Sequence, residues 1–177
     1  MSEYGVSPAP GVVRFERLLP GPVERIWAYL VDPEKRALWF AGGPMDLKPG
    51  GRLVLKFRHS NLSDTPDAPP ERYREVHDVG FESELKVVEA DPPRRVAFTF
   101  DEGPDPSIVT IELTAEGDQV RLVLTHANLK SRQGMLDVSG GWHAHLEVLA
   151  HLAAGKPRPP FWAMWARFQD YDRRLPA

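Results

Sequence analysis

Short runs of alternating apolar and polar residues, separated by turn signals, occupy the middle of the chain and constrain its fold most strongly. After Pro49-Gly50-Gly51, residues 53, 55 and 57 are apolar, whereas Arg52 and Lys56 belong to the opposite side of the same strand. Further strands are predicted at 72–79, 81–89, 95–101, 107–114 and 120–126. Because their connections are too short for helical crossovers, we predict antiparallel neighbours in one sheet.

A strand and a broken helix precede these runs. The alternation over Val13–Leu19 predicts the first strand. Gly21-Pro22 then opens a helix whose apolar residues recur at helical spacing. Asp32-Pro33 interrupts it, because the residue before a proline is pushed out of helical geometry, and a second short helix is predicted over 34–40.

One long helix is predicted near the end of the chain, from Ser131 to Ala154, with Gly155 just beyond it as a C-terminal cap. Its apolar residues form one broad stripe centred on Trp142. The pair Gly140-Gly141 lies inside this helix, where glycine is unfavourable. We therefore expect either a close backbone approach or a bend at this pair.

The length and composition fit one hydrophobic core, since the chain has 177 residues of which 42% are hydrophobic. We expect residues 1–11 to be a disordered lead-in and residues 12–155 to form a single domain. Residues 156–177 are a Pro-rich joint followed by a short aromatic helix over 161–171, packed on the domain or on a partner. The stretch 59–70, rich in Pro, Ser and Asp, is predicted to be a mobile loop.

Composition and motifs exclude several classes of protein. The formal net charge of −3 lacks the basic excess of a nucleic-acid-binding protein. The absence of cysteine excludes disulfides, thiolate metal sites and cysteine nucleophiles. No apolar run approaches the roughly 18 residues of a membrane span, and no signal peptide is recognisable, so we expect a cytoplasmic protein. No phosphate-binding loop, dinucleotide fingerprint, zinc-protease motif or nucleophile elbow is present, so no catalytic residue is predicted.

Histidines raise the question of a metal site. His143, Glu147 and His151 follow one another at helical spacing that could hold zinc. A helical wheel places them on the side away from the apolar stripe, where we expect solvent, so we predict no metal and no cofactor. His59 in the loop and His77 on a strand are expected to titrate near pH 6.5.

Two other histidines are candidates for the interior. His126 continues the inward phase of the last strand, and His145 borders the apolar stripe of the long helix. Each is either a hydrogen-bonded core residue or a ligand contact. A catalytic histidine needs a free ring nitrogen in a cavity, whereas a structural one has both nitrogens engaged.

Several segments together resemble a known family. Its members are the bacterial proteins similar to the C-terminal domain of the activator of the heat-shock-protein-90 ATPase, within the SRPBCC superfamily, also called START-like or helix-grip. The segments that carry the resemblance are Pro22-Val23-Glu24-Arg25-Ile26-Trp27, Asp32-Pro33 with Trp39, Pro49-Gly50-Gly51, Val88 to Arg95 leading into Phe98-Thr99-Phe100, and Gly140-Gly141-Trp142 with Leu146 and Leu149. They span about residues 12 to 154.

The resemblance implies an α+β helix-grip fold, in which a curved antiparallel sheet of six or seven strands wraps around the long C-terminal helix. Two short helices follow the first strand. It also implies a hydrophobic cavity between helix and sheet, which relatives use to bind lipids, polyketides or other aromatic molecules. The aromatic tail after Pro157 would cover either the cavity mouth or a partner surface. The candidate ligand-binding residues are Trp39, Phe57, Phe81, Phe98, Phe100, Ile111, His126, Trp142, His145 and Leu149.

Three functions are therefore weighed. The first is a binding module for a small hydrophobic or aromatic molecule, which we expect over an enzyme. The second is a cyclase-like or hydrolase-like enzyme that uses His126 or His145 as a general acid or base in the same cavity. The third is a co-chaperone or homodimer that uses the apolar stripe of the tail, formed by Phe161, Trp165 and Phe168.

Overall fold

Seven strands form one curved antiparallel sheet in the computed structural model, which describes residues 3–176. The strand order is β1-β2-β7-β6-β5-β4-β3. The strands are β1 (Val6–Ala9), β2 (Val12–Pro20), β3 (Arg52–Phe57), β4 (Phe81–Asp91), β5 (Arg95–Thr99), β6 (Ile108–Glu116) and β7 (Gln119–Ala127). The predicted α+β helix-grip fold with a six- or seven-stranded sheet is confirmed.

The register of the central strands explains how the alternating pattern makes a core. On β2 and β7, Val13 pairs with His126 and Phe15 pairs with Leu124, and all four side chains are buried. The residues between them are partly exposed on the convex face. The concave face is therefore apolar apart from isolated polar groups such as His126.

Six α-helices lie among residues 3–176, and the first, second and fourth begin and end close to the predicted residues. They are α1 (Val23–Val31), α2 (Pro33–Ala37), α3 (Arg74–Asp78), α4 (Arg132–Ala153), α5 (Phe161–Trp165) and α6 (Phe168–Arg174), with 3₁₀ turns at His59–Asn61 and Glu71–Tyr73. The side chain of Ser131 caps α4 by accepting a hydrogen bond from the backbone N–H of Gly134. Buried Leu146 and Leu149 of α4 belong to the hydrophobic core. No helix among residues 3–176 is both long and apolar enough to span a membrane.

Two predicted segments are corrected. Within the expected lead-in 1–11, residues Val6–Ala9 pair with β2 as an edge strand, whereas residues 1 and 2 lie outside the described part. The strand expected over 72–79 is helical instead. Its apolar residues Tyr73 and Val76 are three positions apart, and both line the same cavity, which helical spacing explains better than alternation.

The tail folds back on α4. The single aromatic helix expected over 161–171 is two helices, α5 and α6, and both pack against α4. Phe161 and Trp165 are buried against the core of their own chain. The stripe that motivated a tail-mediated dimer is therefore covered within the chain.

Candidate functional site

A cavity of about 280 Å³ lies between α4, the concave face of β3 and β4, and α5. Half of its lining residues are Phe, Tyr or Trp. The lining consists of Phe40, Leu55, Phe57, His59, Tyr73, Val76, Phe81, Ser83, Leu85, Phe100, Asp137, Val138, Gly141, Trp142, His145, Phe161, Trp162 and Trp165. This size is at the lower end of ligand-binding pockets, and the apolar lining with few polar groups is typical of them.

The sheet side of the cavity follows from strand alternation. Phe57 on β3 pairs with Phe81 on β4, and Leu55 pairs with Ser83 two residues along. The rings of Phe57 and Phe81 stack with centroids 4.8 Å apart. Phe81 is 45% exposed, so it lies at the rim of the cavity.

Two segments that are distant in sequence close the cavity, and we call them the roof. One is the β3–β4 connection, residues 58–80, and the other is the first part of the tail, residues 157–168. Trp162 of the tail stacks between His59 and Tyr73 of the connection, with centroids 5.3 and 5.4 Å away. Its indole Nε1 donates a hydrogen bond of 2.9 Å to Nδ1 of His77.

An ion pair fixes the same two segments at a second point. The guanidinium and the backbone N–H of Arg158 both donate hydrogen bonds of 2.8 Å to the carboxylate of Asp64. Leu62 beside it is buried. The stretch 59–70, expected to be a mobile loop, is therefore anchored to the tail by hydrogen bonds and packing.

His145 lies in the cavity wall with one ring nitrogen engaged. Its Nδ1 is 2.8 Å from the backbone carbonyl oxygen of Trp39. Because a carbonyl only accepts, Nδ1 of the neutral ring carries the proton and Nε2 is left as an acceptor. Burial, together with the nearby ring of His59, lowers the pKa of His145 to about 3, so the ring is neutral at physiological pH.

His59 lies beside His145 and departs from its prediction. Their ring centroids are 5.6 Å apart, and His59 packs between the rings of Phe161 and Trp162. Burial is the main reason that its pKa is lowered to about 4 rather than staying near 6.5. Its Nδ1 is buried, and no described group hydrogen-bonds to it.

His126 has a structural role, because both of its ring nitrogens are engaged in hydrogen bonds within the chain. The indole Nε1 of Trp142 donates to its Nδ1 over 3.0 Å, and its Nε2 donates to Oγ of Ser107 over 2.9 Å. Ser107 in turn donates to the carboxylate of Asp101 over 2.6 Å. Burial lowers the pKa of His126 to about 4, so this chain of hydrogen bonds persists at neutral pH and fixes the ring of Trp142 in the cavity wall.

Five of the ten predicted ligand-binding residues line the cavity: Phe57, Phe81, Phe100, Trp142 and His145. The other five, Trp39, Phe98, Ile111, His126 and Leu149, are buried in the core outside the lining. The main lining residues that the sequence did not assign to the site are Phe40, His59, Tyr73, Asp137, Phe161, Trp162 and Trp165. The aromatic stripe of the tail was a signal that could have identified Phe161 and Trp165, whereas Trp162 lies outside that stripe.

The expected solvent face of α4 is mostly covered. His143 is 2% exposed, and its Nδ1 lies 3.0 Å from the hydroxyl of Tyr171 on α6. Glu147 forms an ion pair with buried Arg17, while Nδ1 of His151 bonds to the carbonyl of Pro157. The three side chains of the considered zinc site thus have separate partners, and residues 3–176 contain no cluster suited to a metal ion.

Comparison with known proteins places this geometry in a family. A model of the family described as Activator of Hsp90 ATPase homolog 1-like protein matches residues 20–154. The solution NMR structure of a protein from Bordetella parapertussis is 44% identical in sequence, with a TM-score of 0.81, over 100% of this chain and 94% of that chain. No curated protein matches the sequence.

Two more distant structures share the fold. CalU16 from Micromonospora echinospora is 23% identical, with a TM-score of 0.66, over 94% of this chain and 91% of that chain. DynU16, a protein of the dynemicin biosynthetic locus, is 22% identical, with a TM-score of 0.62, over 87% of this chain and 51% of that chain.

Proposed function

We propose that this chain, which belongs to the family of Activator of Hsp90 ATPase homolog 1-like proteins in the SRPBCC superfamily, binds a small aromatic or hydrophobic molecule between α4 and the sheet. The observation that carries the proposal is the cavity itself. Its wall of aromatic rings surrounds a space that no side chain of residues 3–176 fills, although nearby rings such as Trp39 and Phe98 pack fully in the core. A small apolar molecule that packs against these rings would gain contacts with them and would stabilise the folded chain.

Binding is favoured over catalysis by the state of the two interior histidines. His126 has both ring nitrogens engaged and lies outside the cavity lining. His145 has an acceptor nitrogen, but a pKa of about 3 makes it a weak general base at neutral pH. Two of the three residues of the tail stripe that supported a protein-interaction role, Phe161 and Trp165, are buried within the chain.

The test is native mass spectrometry of gently purified protein, together with a fluorescence titration with the neutral probe N-phenyl-1-naphthylamine. We expect a co-purified molecule or saturable binding of the probe. The variant Gly141→Leu should abolish both, because Gly141 lines the cavity and has open space where a side chain would project. Ala166→Leu adds the same side chain at an exposed position and should change neither.

Saturable binding that survives in Gly141→Leu would place the binding site elsewhere. A wild-type protein that carries no molecule and binds no probe would remove the proposal.

A further inference from the structure

We propose that the cavity recognises its ligand through a hydroxyl group that donates a hydrogen bond to Nε2 of His145, and that it therefore prefers aromatic alcohols to aromatic carboxylates. This preference rests on the proposed function, because it names the class of ligand for the same cavity. Three observations carry it: the tautomer of His145, the unpartnered nitrogen of His59, and the charges around the cavity.

The tautomer of His145 is fixed by its own backbone contact. Nδ1 must donate to the carbonyl of Trp39, so the lone pair of Nε2 is the only hydrogen-bonding site of the ring that remains unused. A ligand O–H group satisfies this lone pair. A carboxylate or ether oxygen has only lone pairs to offer, so it cannot form a hydrogen bond with Nε2 of His145.

Burial keeps this arrangement from adapting. His145 is 6% exposed and surrounded by the rings of Phe40, Trp142 and Phe161. Protonation of the ring would let it bind a carboxylate, but burial opposes the charged form.

His59 offers a second polar atom at the same end of the cavity. Its Nδ1 is buried without a partner among the described residues, and its ring lies 5.6 Å from that of His145. A hydroxyl group that donates its one proton to His145 can also accept a hydrogen bond from His59 when Nδ1 of His59 carries the proton. An ether oxygen can only accept, and it leaves the lone pair of His145 unsatisfied.

The charges around the cavity disfavour an anion. Among the described residues that line it, none is Lys or Arg, and Asp137 contributes a carboxylate. Oδ1 of Asp137 accepts a hydrogen bond of 3.0 Å from Gln133 on the preceding turn of α4. The guanidinium of Arg72 lies over the rings of Tyr73 and Trp165, 4.8 and 5.3 Å from their centroids, but Arg72 itself does not line the cavity. An aromatic carboxylate in the cavity would therefore meet the like charge of Asp137 and no cationic side chain in the lining.

A matched set of three ligands tests the preference: 2-naphthol, 2-methoxynaphthalene and 2-naphthoate. They share the same two rings and differ in whether the substituent donates, only accepts, or carries a negative charge. By isothermal titration calorimetry at pH 7.5, we expect 2-naphthol to bind at least about tenfold more tightly than either of the others, because only it pairs the buried nitrogen.

Two variants locate the source of the preference. His145→Phe keeps a ring but removes the acceptor, and it should reduce the difference between 2-naphthol and 2-methoxynaphthalene to less than about threefold. Gln119→Phe adds a ring at an exposed position of the β6–β7 hairpin, outside the cavity, and should retain the wild-type order. If His145→Phe does not fold, the wild-type ligand series decides, supported by a change in the ¹⁵N shift of His145 Nε2 on addition of 2-naphthol.

The outcomes separate the two proposals. Equal binding of 2-naphthol and 2-methoxynaphthalene, or tightest binding of 2-naphthoate, overturns the hydroxyl preference and leaves the cavity as a binding site. Failure of all three compounds to bind overturns this preference, and it overturns the proposed function only if the protein also carries no molecule and binds no N-phenyl-1-naphthylamine.

Discussion

Two adjacent glycines on α4 face regions of opposite character. A Cβ atom on Gly140 would lie 2.4 Å from Cβ of Phe168, so α4 and α6 have approached as closely as their backbones allow. A Cβ atom on Gly141 would have no neighbour within 4 Å, because Gly141 borders the cavity. We call these regions the closed side and the open side of α4. The close approach expected at this pair is therefore present at Gly140 alone.

Polar groups follow the same division. On the closed side, the hydroxyl of Tyr171 accepts a 2.9 Å hydrogen bond from the backbone N–H of Gly5 and lies against His143. On the open side, Nε2 of His145 and Nδ1 of His59 face no such partner within the described chain. Of two histidines on α4, His143 is thus paired within the chain, whereas His145 keeps the acceptor nitrogen that the proposed function assigns to a ligand.

The largest expected effect is that of acid. Burial lowers the pKa of His59, His126 and His143 to about 4 and that of His145 to about 3. In the unfolded chain each ring has a pKa near 6.5, so below that pH the unfolded state binds protons that the folded state does not. The stability should therefore be complete above pH 6.5 and fall, by several kcal/mol in total, as the pH drops towards 4.

Melting temperatures between pH 7.5 and 4.5 measure this loss of stability. NMR titration of each imidazole ring shows whether the loss arises on the closed side or the open side of α4. A flat stability profile would contradict the described burial. If His143 stays neutral while His59 and His145 titrate near pH 6.5, the open side is filled with water. The difference in packing between the closed and open sides of α4 is then larger than described.

A pair of phenylalanine truncations gives the next largest effect. Phe15 is 1% exposed, and its ring fills the space in which a side chain at Gly5 would lie. We expect Phe15→Ala to lower the free energy of unfolding by about 3–5 kcal/mol. Phe81→Ala, at the half-exposed cavity rim, should lower it by about 1 kcal/mol or less. Equal losses in urea denaturation would show that the two sides are packed alike.

The smallest and most direct test exchanges each glycine for alanine. Gly140→Ala should destabilise the protein by about 1–3 kcal/mol, because the new methyl group collides with Phe168. Gly141→Ala should stabilise it by up to about 1 kcal/mol, because alanine favours a helix interior and has room there. Thermal unfolding of both variants checks the signs, and the same sign for both would refute the division of α4 into two sides.

The sequence predicted α4 and the six strands from β2 to β7 well, because alternation and helical spacing report directly on one buried face, but it missed β1 and assigned a strand to the helical residues 72–79. It failed for His143, since a helical wheel assumes that a helix packs on one side only, whereas α6 covers a second side of α4. It failed for His59 because the polar composition of the loop gives no sign of Trp162 stacking on it.

The candidate site was half predictable for a related reason. The sequence predicted inward-facing aromatic side chains at both Trp39 and Phe57, but only Phe57 lines the cavity. That distinction depends on how the tail and the β3–β4 connection meet, which is a contact between distant segments. Local periodicity carries no information about such a contact.

The position of the roof relative to the family match has an evolutionary consequence. The match ends at residue 154, so the sheet, α4 and the β3–β4 connection lie within the shared part, whereas Phe161, Trp162 and Trp165 lie beyond it. Substitutions in this tail can change the shape of the cavity without changing any strand pairing. The lining of the cavity and the pairing of the sheet can therefore change separately, because the last twenty or so residues supply three of the lining rings and no strand.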